Sequence, residues 1–111
     1  MVNEILTAAG VEHAQGRFLR TPDGTYAVYF DDIEVDAADP VTPPTQAGLP
    51  RICKHNVSVE LYEPAPDDEK EAAIEAELNA RGLSWEKQDR YWLKDQQRYQ
   101  VVYDFSFITK N

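Results

Sequence analysis

The chain has 111 residues, 42% of them hydrophobic, with two tryptophans, six tyrosines and four phenylalanines. That is enough for one hydrophobic core and too short for two ordinary domains. Eleven basic residues against twenty acidic ones leave a net charge of −9, which argues against a protein that grips phosphate backbones or an anionic membrane surface.

The single cysteine, Cys53, excludes an internal disulfide and a cysteine zinc cluster. No apolar run approaches the ~20 residues of a membrane span. The N-terminal residues lack the basic-then-apolar pattern of a signal peptide. The expectation is a soluble, acidic chain from a reducing compartment, forming a single domain over residues 1–111.

Residues 3–9 are helix-permissive, with Asn3 as a cap and Gly10 as a stop. Residues 11–20 carry no clear period. The run Thr21, Pro22, Asp23, Gly24 reads as a turn, and 25–30 (TYAVYF) as a strand. Residues 31–50 read as a long loop or loosely paired arm. Its first part holds Asp31, Asp32, Glu34, Asp36 and Asp39 without a base; its second holds Pro40, Pro43, Pro44 and Pro50.

Residues 52–62 form the clearest strand, since Val57, Val59 and Leu61 alternate with Asn56, Ser58 and Glu60. Asp67 or Asp68 caps a helix running to about Arg81, with a narrow stripe of Ile74 and Leu78 and a stop at Gly82. Residues 84–93 and 98–108 read as two more strands joined by a short polar hairpin. In the last strand Tyr99, Val101, Tyr103, Phe105 and Phe107 share a face, which suits the middle of a sheet. The predicted fold class is α+β: an antiparallel sheet of about four strands packed with two helices, and a long arm between the first two strands.

Nothing points to catalysis. His13 and His55 have no metal-binding spacing, and His55 reads as a satisfied, half-buried residue. Cys53 shares a strand face with His55 but reads as a small, partly buried hydrophobe. The acids of 31–39 lack the pattern of a calcium loop, and Glu69, Glu71, Glu75 and Glu77 read as a charged helix face. The five glycines are scattered, so no phosphate-cradling loop is present. No catalytic residue, cofactor or metal is expected.

Several segments together resemble a known group. They are TYAVYF, the Ala38-Asp39 pair, VSVELYEP, and the acidic helix with Glu71, Ile74, Glu75 and Leu78. Trp85 with Lys87, and RYQVVYDFSF, complete the pattern. It is similar to the tail-terminator, or tail-completion, proteins of tailed phages and prophages, over roughly residues 20–108. The proline-rich link across residues 41–52 is longer than this group leads one to expect. The resemblance implies a non-enzymatic virion protein that forms a ring, usually of six subunits, at the head–tail junction. Such a ring ends tail-tube polymerisation and permits head joining. Implied partners are copies of itself and the tail-tube and head-connector proteins. DNA would pass through without specific binding, and no membrane is involved. Implied locations are the virion and, during assembly, the host cytoplasm. Asp31, Asp32, Glu34, Asp36 and Asp39 are the expected subunit or lumen contacts, since like charge keeps DNA from sticking. Two other readings remain: an acidic DNA mimic or other interaction module, and a small α+β ligand-binding domain or enzyme.

Overall fold

The computed structural model describes residues 1–35 and 52–110. In chain order the elements are α1 (Val2–Ala8), β1 (Glu12–Gln15), β2 (Tyr26–Val35), β3 (Ile52–Glu63), α2 (Asp68–Ala80), β4 (Trp85–Lys87), β5 (Tyr91–Leu93) and β6 (Arg98–Lys110). Among the described residues the fold is α+β with two helices, but the sheet has six strands in place of about four. Its order is β1-β2-β3-β6-β4, with β5 also on β6. All pairings are antiparallel except that of β1 with β2, so the sheet is mixed.

Three local readings are corrected. The untyped stretch after Gly10 contains β1, a short edge strand whose hydrogen bonds come from β2 and not from any period of its own. Residues 31–35, expected in a loop, are the second half of β2 and pair with β3 as far as Val35 opposite Cys53. Acids are poor strand formers, but pairing along β3 overrides the local preference. Residues 36–50 of the expected arm, with Asp36 and Asp39, lie outside the described residues. The single strand expected at 84–93 is two strands. Between the pairs Lys87–Tyr103 and Tyr91–Gln100, three residues of the edge face two of β6. The extra residue is a bulge.

Both helices end in the same way. Gly10 and Gly82 take positive φ, +72° and +69°. The Gly10 and Val11 N–H groups donate to Thr7 and Leu6, and those of Gly82 and Leu83 donate to Asn79 and Leu78. This is the Schellman closure that satisfies the last carbonyls of a helix. At the other end of α2, Asp67 accepts from the Lys70 N–H as N-cap. The α1 start differs from expectation: Met1 holds the cap position without a side-chain bond, and the Asn3 side chain meets His13 Nε2 instead.

The core lies between the helices and one face of the sheet. Ile5 and Leu6 of α1 and Ile74 and Leu78 of α2 pack with Ala27, Val57, Val59, Leu61, Val101 and Tyr103, all nearly free of solvent. The central position of β6 follows from its two-sided pattern: β3 flanks it on one side and β4 and β5 on the other.

Candidate subunit interface

Side-chain alternation sorts the acids of β2. Asp31 lies opposite Val57, on the helix-covered face. Its carboxylate accepts a 2.9 Å hydrogen bond from His55 Nδ1, and His55 Nε2 meets Thr109 Oγ1 at 3.0 Å. The imidazole also stacks on Phe107, with ring centroids 4.4 Å apart. Both ring nitrogens are thus engaged, so His55 has none left to activate the buried Cys53. Asp32 and Glu34 point to the opposite, helix-free face and are exposed. The described acids of the run are therefore split between two faces.

The helix-free face holds an open cleft of about 590 Å³. Two rungs of the sheet build it. In one, Phe30, Ser58, Asp104 and Glu86 sit side by side across β2, β3, β6 and β4. In the next, Asp32, Asn56 and Ser106 do so. Short polar side chains in the middle strands make the floor, while Phe30 and three carboxylates, Asp32, Asp104 and Glu86, stand around it. Among the described residues no lysine or arginine lines the cleft. Phe30 is 46% exposed, and Ile108 on the same face is 64% exposed.

The helix acids do not form one solvated face. Glu71 is 3% exposed, with Lys87 Nζ 2.8 Å and Arg90 Nη2 2.5 Å from its carboxylate. Glu75 accepts from Lys87 and from the Tyr103 hydroxyl, and Glu77 pairs with Arg81. Glu63, fully buried at the end of β3, has Arg90 Nε 3.3 Å from Oε1 and accepts the Asp67 N–H on Oε2. Burial first, then the neighbouring Glu71 carboxylate, push the Glu63 carboxyl well above the usual carboxylate range. Burial would raise Glu71 too, but hydrogen bonds from Glu63, Lys87 and Arg90 outweigh it and hold Glu71 low. The opposite shifts favour the proton on Glu63 and the charge on Glu71. Sequence reasoning passed over this pair, although the signal was present. Glu63 continues the parity of Val57, Val59 and Leu61, and Glu71 stands three residues before Ile74 on the apolar stripe of α2.

Among the described residues no three His, Cys, Asp or Glu side chains converge to hold a metal ion, and no helix is long and apolar enough to cross a membrane. A chain described as "Virion of native gene transfer agent (GTA) particle" superimposes on 96% of this chain and 84% of its own, with a TM-score of 0.57 and 13% sequence identity. This is a fold found in a virion. The likeness is one of fold, and it spans nearly the whole chain. No protein-family model and no curated protein matches the sequence.

Proposed function

We propose that the chain is a structural subunit of a phage-type virion, acting as tail-terminator proteins do. Copies form a ring, six in the assembled particle, at the head–tail junction. The ring ends tail-tube polymerisation and offers a surface to the head connector. The observation that carries this reading is the fold shared with the gene-transfer-agent virion chain over nearly the whole length. The shape of the sheet supports it. One edge is β1, the other is the broken β4 and β5, and one face is covered while the other is open. Unlike edges and faces suit the heterologous contacts from which rings close. In this reading the protein is not an enzyme and uses no cofactor. The exposed Asp32 and Glu34 serve as subunit or lumen contacts, together with Asp36 and Asp39, and the net charge of −9 keeps DNA sliding. The DNA-mimic alternative loses weight, because Glu71, Glu75 and Glu77 are spent on Lys87, Arg90 and Arg81 and cannot stand as free phosphate surrogates.

Electron microscopy of particles made with and without this gene tests the proposal. Overlong tails, or heads and tails left unjoined, are the expected result. Normal, infectious particles from the deletion overturn it.

A further inference from the structure

Residues 16–20, which leave the β1 edge, present Leu19 at 99% exposure between two exposed arginines, Arg17 and Arg20. Neither arginine makes an ion pair among the described residues. The loop is nonetheless held in place. The Gly16 N–H donates to the Tyr29 carbonyl, and Arg17 N–H to Gln15. Phe18 packs edge-on against Tyr26 with centroids 5.4 Å apart, and Tyr26 in turn stacks on Tyr62. With Phe18 fixed inward, Leu19 is left outward. A preordered loop loses little freedom on binding.

The open-face cleft is its complement. It has carboxylates where the loop has guanidinium groups, and the half-exposed Phe30 where the loop has a bare leucine. The loop of the same copy is held back from it, since Tyr26, which anchors Phe18, is roughly 13 Å along β2 from Phe30 and roughly 20 Å from Asp32. We propose that loop 17–20 of one copy seats in the open-face cleft of the next, Leu19 against Phe30 and the two arginines among Asp32, Glu86 and Asp104. The contact joins two different patches, so it propagates from copy to copy and does not stop at a dimer, and it closes into a ring when the rotation between copies allows. In a chain with a surplus of acid, this local pairing of opposite charge also fixes which surfaces meet. The inference rests on the ring reading above and names the contact that would build it.

Cross-linking tests it, in the concentrated purified chain and in assembled particles. In a Cys53→Ala background, Leu19→Cys and Ser58→Cys are combined and treated with a short bis-maleimide. One cysteine per chain gives dimers at most; the pair is expected to give a ladder of covalent oligomers that ends at a finite number. Arg17→Glu with Arg20→Glu should cut the ladder roughly tenfold or more, and adding Asp32→Arg with Glu86→Arg should restore it. Absence of the ladder where sedimentation shows oligomers overturns this contact and leaves the ring standing. Absence of both ladder and oligomers overturns the contact and the ring together. Cross-linking of Ser58→Cys to a different protein in particles, without a ladder, gives the cleft to another partner and also overturns the proposal.

Discussion

Arg90 Nε lies 3.3 Å from Glu63 Oε1, and the bulge between β4 and β5 is what puts it there. In β4 the odd residues Trp85 and Lys87 stand over the helix-covered face. After the extra residue the even ones do, so Arg90 reaches Glu63, Asp68 and Glu71, and Trp92 meets Tyr99. Without the bulge, alternation would send Arg90 to the open face.

Removing the guanidinium leaves a buried carboxyl pair under-compensated. Arg90→Ala should cost roughly 1–3 kcal/mol in urea unfolding, less than a fully buried pair, because Arg90 is itself partly exposed and Lys87 stays beside Glu71. Deleting Asp89 removes the extra residue but brings Arg90 into register opposite Val101, still on the helix-covered face, so it should cost less than Arg90→Ala. A deletion variant destabilised as much as Arg90→Ala would show that strand alternation does not direct Arg90.

The carboxyl pair sets a pH dependence of known sign. Glu63 is raised in the folded chain, by burial and then by Glu71, from an ordinary value of 4.5. The folded state therefore holds a proton that the unfolded state releases. That contribution is full below 4.5 and is lost as pH rises through the neutral range. Glu71 is lowered, so its contribution is present above 4.5 and is lost in acid. Glu63→Gln keeps the shape of the protonated carboxyl. It should flatten the decline of stability between pH 5 and 9 and equal or exceed the parent at the alkaline end. An unchanged slope in urea midpoints against pH would refute a protonated Glu63.

The two helix stops differ in their surroundings. A Cβ on Gly82 meets nothing within 4 Å, whereas one on Gly10 comes 3.4 Å from Lys70 Nζ, which donates to the Gly10 carbonyl at 2.7 Å. Gly82→Ala should cost about 1–2 kcal/mol from the left-handed backbone alone. Gly10→Ala should cost at least as much, with the Lys70 contact disturbed. Gly24→Ala, with ordinary φ and open space, serves as the neutral control in thermal melts.

Arg98 clamps the turn before β2. Its guanidinium donates to the carbonyls of Pro22, Asp23 and Gly24 and lies 5.0 Å over the Tyr26 ring. A lysine ammonium cannot reproduce that planar fork. Arg98→Lys should destabilise by about 1–2 kcal/mol and raise hydrogen exchange in residues 21–25. Protection there equal to the parent's would show that the turn holds itself.

Much of this fold is written in short-range pattern. The Asp67 cap, the Gly10 and Gly82 stops, the α2 stripe and the alternation along β3 and β6 all depend on residues within a few positions of one another, and each is visible in the chain alone. Even the two buried glutamates sit at positions the periodicities mark as inward. What the linear chain conceals depends on a partner strand. β1 and the second half of β2 gain their hydrogen bonds from neighbours far away in sequence, so their composition misleads. The bulge exists only relative to β6, and it alone decides which way Arg90 turns. The cleft is further removed still. Phe30, Ser58, Asp104 and Glu86 become one row when four strands take register, and register is a long-range agreement among strands that no local window contains.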